Sequence, residues 1–209
     1  MVTFGSMTRN LAASSPVRRT PSGRRHLTLA VRGVTQLEML VVIAIVGILA
    51  VQAASSGYAF LSLWRLKSAT GTFFNDLSFA RSEAIKRNSR VVLCISSDGV
   101  QCVTDGGWEQ GWMVFQDQNH NALVDEEDLV LARAGALQPP LRLAGNRNVS
   151  KYVSYSPIGF TNLTSGAFQA GTFVLCDTSG VLDEAREIVI SSLGRPRIAK
   201  VGNQLCPKF

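Results

Sequence analysis

Gly33-Val34-Thr35-Gln36-Leu37-Glu38, running into the unbroken apolar stretch Met39–Val51 (MLVVIAIVGILAV), is the segment on which the reading of this chain turns. From Val34 to Ala54 it is 21 residues long, and about 20 predominantly apolar residues cross a bilayer as a helix. Glu38 stands near its mouth. An ionised carboxylate inside hydrocarbon costs roughly 2.5–3.5 kcal/mol on insertion scales, so such a residue needs a partner. A cut after Gly33 would supply one. Val34 would then carry a new α-amine, with Glu38 four residues on and on the same helix face. Amine and carboxylate can neutralise each other within one chain or between neighbouring helices.

Charge orients this helix. The chain has 209 residues and a formal net charge of +6, which invites a nucleic-acid reading. The excess is misplaced for that. Residues 1–33 hold Arg9, Arg18, Arg19, Arg24, Arg25 and Arg32 and no acid, so the remainder carries 15 Lys/Arg against 15 Asp/Glu. A basic flank before an apolar helix is held on the cytoplasmic side. The N-terminus is therefore expected inside, and everything after Ala54 outside. A secretory signal peptide is cut after its apolar region; here the cut precedes it and the helix is retained. A start at Met7 would shorten the leader to 27 residues.

Beyond Ala54 the helical period continues. Tyr58, Leu61, Leu66, Phe73, Leu77, Phe79, Ala80, Ala84 and Ile85 recur at three-to-four spacing. Arg65, Lys67, Asp76, Arg81, Glu83, Lys86 and Arg87 lie between them. The pattern predicts an amphipathic helix with one face on a core, ending near Asn88–Ser89. After Arg90 the period falls to two. Short strands are expected at 91–95, 112–115, 129–133, 141–143, 152–155, 172–176, 187–191 and 197–201, punctuated by Gly, Asn, Asp and Pro. One long helix followed by strands is α+β. The expected organisation is a leader over 1–33, a transmembrane segment over 34–54, its amphipathic continuation over 55–90, and a β-rich globular part over 91–209.

The segment around Gly33 resembles the class III signal of type IV pilins and of type II secretion pseudopilins. Gly33, Thr35 and Glu38 match that pattern directly. Val34 replaces the usual Phe, Gln36 replaces an apolar residue, and Ser55 stands where a helix-kinking Pro is common. The resemblance implies that a prepilin peptidase cuts after Gly33, that Val34 is then N-methylated, and that Glu38 pairs with a neighbouring subunit's amine during assembly. It also implies a pilin-like fold, the long helix packed on an antiparallel sheet or sandwich. Expected partners are other major or minor pilins or pseudopilins, with the bacterial inner membrane as the location before assembly. The globular part would then be periplasmic, where Cys94, Cys102, Cys176 and Cys206 can form disulfides. Four cysteines allow three pairings. A short polar loop between Cys94 and Cys102 favours that pair, leaving Cys176–Cys206. A zinc site is disfavoured: no C-x-x-C occurs, and the only histidines are His26 and His120.

The globular part segregates its charge. Residues 91–132 hold eight acids and no Lys or Arg; residues 188–209 hold Arg195, Arg197, Lys200 and Lys208 and no acid. The expectation is a domain with a basic end. Within it, Ser191-Ser192-Leu193-Gly194-Arg195-Pro196-Arg197-Ile198 stands out. Gly194 suits a tight turn. Arg195 and Arg197 alternate with Pro196, so both guanidiniums leave an extended chain by one face, and two such forks fit phosphate geometry. This segment, with Gly171-Thr172-Phe173-Val174-Leu175-Cys176-Asp177 upstream, resembles the C-terminal part of GspH/FimT-family minor pilins. In the FimT branch a G-R-x-R motif is implicated in DNA binding during natural transformation. The resemblance implies a non-specific DNA site at Gly194, Arg195 and Arg197, with Lys200 as a neighbour. The rival it leaves open is a GspH-type pseudopilin of a type II secretion system.

Two further groups were weighed against simpler readings. Asp117, Asn119, Asn121, Asp125 and Asp128 have the spacing of a calcium loop, but Ala122 replaces the expected Gly and Asp128 the bidentate Glu; a β-turn in an acidic connection is the plainer account. Trp108 and Trp112 flank Gly111 and could stack on bases; Trp112, in Trp-Met-Val-Phe, reads as core and Trp108 as the cover of a loop. No nucleophile–base set and no phosphate-cradling glycine loop appears, so no enzyme activity and no cofactor is expected.

Overall fold

Thr35 opens the first element: its Oγ1 accepts a hydrogen bond from the Glu38 backbone N–H at 3.3 Å, as a capping threonine does three residues before the acid of a capping box. The computed structural model describes residues 33–202 and Cys206, except for the side chains of residues 52–56. The leader expected over residues 1–33 therefore lies outside the described residues, Gly33 excepted. Helix α1 (Gln36–Arg87) follows the cap. Among the described residues no helix is long and apolar enough to cross a membrane. Residues 52–54, the end of the expected span, lie outside the described side chains.

Eight strands follow: β1 (Val91–Ile95), β2 (Trp112–Gln116), β3 (Leu129–Ala134), β4 (Leu141–Gly145), β5 (Tyr152–Tyr155), β6 (Gly171–Asp177), β7 (Glu184–Ile190) and β8 (Pro196–Gly202). They form two four-stranded antiparallel sheets, ordered β3-β2-β1-β5 and β4-β6-β7-β8. Leu66, Phe73, Leu77, Ala80 and Ala84 of α1 are fully buried. They share one core with Val91, Leu93 and Ile95 of the first sheet and with Phe173, Leu175, Ile188 and Ile190 of the second. Strand alternation puts Val92, Cys94, Met113 and Phe115 on the other face of the first sheet, under Ala122.

Phe73 is the hub. Its ring meets those of Trp108, Trp112 and Phe173 edge-on, with centroids 5.3, 4.9 and 4.8 Å away. Such edge contacts contribute roughly 0.5–1.5 kcal/mol beyond burial. Each indole N–H is satisfied: Trp108 Nε1 donates to Val149 O at 2.9 Å and Trp112 Nε1 to Asp76 Oδ2 at 2.8 Å. Trp108 thus belongs to the core and does not merely cover a loop, and neither indole presents a face on which a base could stack.

The core-facing stripe of α1 is narrower than its hydrophobic period suggests. Tyr58, Leu61, Phe79 and Ile85 are exposed, while Thr70 and Glu83 are buried. Glu83 tolerates that position because Arg87 Nε meets its Oε2 at 2.6 Å and Lys86 Nζ its Oε1 at 3.2 Å. Disulfides join Cys94 to Cys102 and Cys176 to Cys206, with S–S lengths of 2.06 and 1.99 Å. The second ties the tail to β6.

Candidate functional site

The β7–β8 connection is a tight turn, with Gly194 N–H donating to Ser191 O at 2.8 Å and Gly194 at φ +73°. It is bolted to a second turn, Ser156–Gly159, closed by Gly159 N–H to Ser156 O at 2.8 Å. Thr161, fully buried, links the two: its N–H donates to Ser192 O at 3.3 Å and its Oγ1 to Ser191 O at 3.2 Å. A Cβ on Gly194 would lie 2.1 Å from Gly159 O and 3.2 Å from Tyr155 Cε1. Glycine is required there on both grounds, positive φ and close backbone approach.

Arg195 and Arg197 are exposed, and among the described residues neither guanidinium makes a hydrogen bond or ion pair. Arg197 is paired in register with Val189, and Arg195 sits two residues earlier, on the same side of the extended chain. Lys200 does not join them. It is an odd number of residues from Arg197, pairs in register with Arg186, and forms an ion pair with Glu184 Oε2. Lys200, then Arg186, hold the Glu184 carboxyl below its ordinary pKa, against desolvation.

The turn gains a different cation. Arg81 of α1 donates from Nε to Gly159 O at 3.0 Å, the same oxygen that Gly194 abuts. Arg81 is half-buried and makes no ion pair among the described residues. Arg81 thus reaches the junction of the two turns, next to the segment that carries Arg195 and Arg197. No local signal in the sequence shows this, because Arg81 and Gly159 are 78 residues apart. Beneath the junction lies Tyr155, fully buried, with a hydroxyl that has no partner among the described residues. Burial pushes its phenol far above its ordinary pKa, opposed by the Arg81 charge.

The expected basic end is not separated from the acids by the length of the domain. The acidic connection 117–128 leaves β2 after Gln116, which pairs with Val91, which pairs in turn with Tyr155. The acidic loop and the Ser156–Gly159 turn, against which the arginine turn rests, therefore leave the same end of the first sheet, two strand spacings or about 10 Å apart at Gln116 and Tyr155. The loop's oxygens serve its own backbone. Asp117 Oδ1 accepts from His120 and Asn121 N–H at 2.7 and 3.2 Å, and its Oδ2 from Ala122 N–H at 3.1 Å. Asp128 takes the N–H groups of Gln118 and Asp125, and Asp125 Oδ2 takes the side-chain amides of Asn119 and Asn121. Among the described residues no cluster of His, Cys, Asp and Glu could hold a metal ion.

At the other functional segment, Gly33 and Val34 are exposed and precede α1. Nothing lies within 4 Å of a Cβ built on Gly33. Glu38 is exposed in the first turn, where a carboxylate complements the helix dipole.

The family model described as type II transport protein GspH matches residues 69–194, from Ala69 of α1 to the glycine of the arginine turn. The chain belongs to the GspH family. Its fold is similar to that of the type IV minor pilin FimU of Pseudomonas aeruginosa strain PAO1, at 18% identity and a TM-score of 0.50, covering 71% of this chain and 97% of that one. The minor pseudopilin EpsH from the type 2 secretion system of Vibrio cholerae is aligned at 14% identity with a TM-score of 0.41, covering 66% and 97%. No curated protein matches the sequence. GspH-family proteins are minor pilins or pseudopilins, structural and non-enzymatic components that assemble with other such subunits into a pilus or pseudopilus.

Proposed function

We propose that this chain is a minor type IV pilin that binds DNA through the arginine turn during DNA uptake. The observation that carries this reading is the pairing of two exposed, acid-free arginines on a turn held rigidly by Thr161, Gly159 and Gly194. Guanidinium forks on a fixed backbone lose little freedom when they meet phosphates. Before assembly the chain is held in the inner membrane by residues 34–54, with the globular part in the periplasm. The prepilin peptidase cuts between Gly33 and Val34, and Glu38 pairs with a neighbour's amine. Among the described residues nothing packs on Gly33, which leaves that glycine open to a peptidase.

Duplex binding by the periplasmic part, titrated with salt, tests the DNA reading. Each phosphate neutralised gives a log–log slope of roughly −0.9, so contacts from two or three arginines should give about −2 to −3. Undiminished binding by Arg195→Gln with Arg197→Gln would leave the pseudopilin of a type II secretion system, to which the family description also points, as the better reading.

A further inference from the structure

Two turns of this chain repeat one device. Ser156-Pro157-Ile158-Gly159 and Ser191-Ser192-Leu193-Gly194 each place a serine first, a large aliphatic third and a glycine fourth. In both, the glycine N–H donates to the serine carbonyl at 2.8 Å and the glycine φ is positive, at +79° and +73°. Both glycines are buried, while Ile158 and Leu193 are 69% and 55% exposed. Turns favour Gly, Pro, Asn, Asp and Ser for their backbone freedom and local hydrogen bonds. Nothing in that chemistry asks for Ile or Leu at the third position, and neither side chain gains burial there.

The two apolar tips are neighbours. A Cβ on Gly194 would lie 2.1 Å from Gly159 O, and Ile158 and Leu193 are each one residue from that contact. With consecutive Cα atoms about 3.8 Å apart, the two tips lie within about 14 Å of each other. Cations flank them. Arg195 follows Gly194 directly, and Arg81 Nε donates to Gly159 O at 3.0 Å. A partner that meets aliphatic tips and guanidiniums together is anionic outside and apolar within, as phospholipid and duplex DNA both are. Position along α1 (Gln36–Arg87) decides between them. Arg81 is 27 residues beyond Ala54, about 40 Å of helix rise, and a headgroup layer is only about 5–7 Å deep. The turns therefore stand clear of the bilayer that residues 34–54 would cross.

We propose that Ile158 and Leu193 form an apolar wedge that the arginines carry into the minor groove of duplex DNA, where it presses between base pairs and opens a step. This deepens the DNA reading of the arginine turn and rests on it. Leucine and isoleucine wedges kink a duplex at the cost of unstacking it, while phosphate contacts hold the duplex in position against them. The cost falls where a step is already weak. Binding should therefore favour a mismatched duplex over a perfect one, whatever the sequence around it.

The full chain, held in lipid nanodiscs, is titrated with a perfect duplex and with one carrying a central mismatch, beside Ile158→Ser with Leu193→Ser. Both positions are exposed, so Tm should not move. The wild type should bind the mismatched duplex roughly fivefold tighter or more, because an unpaired step costs less to open. The serine pair should bind both duplexes alike, with the wild-type salt slope, since no charge is removed. Equal binding of the two duplexes by the wild type, or a mismatch preference that survives in the serine pair, overturns the wedge and leaves the arginine site standing. A wild type with no salt-dependent duplex binding takes down the DNA reading, and the wedge with it. Loss of filament incorporation in the serine pair, with duplex binding unchanged, assigns the tips to a neighbouring subunit and likewise overturns the wedge.

Discussion

Gly194 stands against the carbonyl of Gly159 with no room for a side chain: a Cβ there would lie 2.1 Å from the oxygen that accepts the Arg81 Nε hydrogen bond at 3.0 Å. One oxygen therefore locates both the arginine turn and a helix arginine. A change at Gly194 should disturb fold and site together.

Gly194→Ala should cost about 2–4 kcal/mol, combining a strained positive φ with a backbone clash. Gly166→Ala is the control. Its φ is +86° but nothing lies within 4 Å of its Cβ, so only the backbone conformation is penalised, by roughly 1 kcal/mol. Urea denaturation of the two variants checks the difference.

The DNA site should follow the geometry, and Lys200 should drop out of it. Lys200→Gln should leave duplex affinity and salt slope almost unchanged, since Lys200 is paired with Glu184 on the other side of β8. Arg81→Gln should weaken binding and make the slope shallower by about 1. Arg195→Gln with Arg197→Gln should abolish most binding while hardly moving Tm, because exposed charges add little to folding. Neutralising Asp125 and Glu126, whose loop shares the same end, should not weaken binding. Salt-titrated fluorescence anisotropy reads all four.

These outcomes turn on contacts that the sequence exposes unevenly. The strands were legible because short apolar, β-branched-rich runs such as Val91–Ile95 are bounded by Gly, Asn, Asp and Pro. The odd–even spacing that separates Lys200 from Arg195 and Arg197 was also present in the sequence, and it outweighs nearness along the chain. Other features were not local. Ile85 and Phe79 look like core, but the stripe that meets both sheets is set by the small Ala80 and Ala84, which let the sheets approach. Trp108 becomes core through Phe73, Phe173 and Val149, the last 41 residues away, and Arg81 joins the turn through Gly159.

Stability should fall on acidification, with two opposing contributions. Arg87, then Lys86, hold the Glu83 carboxyl below its ordinary pKa against desolvation, and Lys200 leads the same effect at Glu184. A pKa lower in the folded state contributes stability at neutral pH that is lost as pH falls through the folded value. Asp76 works the other way. Desolvation raises its pKa, with the Trp112 N–H opposing, so its protonation favours the folded state. Asp98, held below its ordinary pKa by the Gln101 and Val100 N–H groups, acts in the same sense as Glu83 and Glu184, and three groups against one predict a net loss below roughly pH 4. In denaturation curves taken across pH, Glu83→Gln should flatten that loss. Asp76→Asn should steepen it, since the compensating protonation disappears while an amide oxygen still accepts from Trp112.

Processing and assembly should separate at Gly33 and Glu38. Intact-mass analysis of the membrane-extracted protein should show loss of residues 1–33 and one added methyl on Val34; a mature chain still beginning at Met1 or Met7 removes the pilin maturation route. A bulky charged residue in place of Gly33 should block the cut without affecting the fold, since nothing packs on that position. Glu38→Ala then isolates the carboxylate. The helix start survives, because the bond to Thr35 Oγ1 comes from the Glu38 backbone N–H. Membrane insertion should be at least as good as in the wild type, since a charge costing roughly 2.5–3.5 kcal/mol in hydrocarbon is gone. Incorporation into filaments, measured by immunoblotting of sheared filaments against total membranes, should nevertheless fall sharply, because the neighbour's amine has lost its counter-charge. Incorporation at the wild-type level would show that the Glu38 carboxylate serves only the first turn of α1.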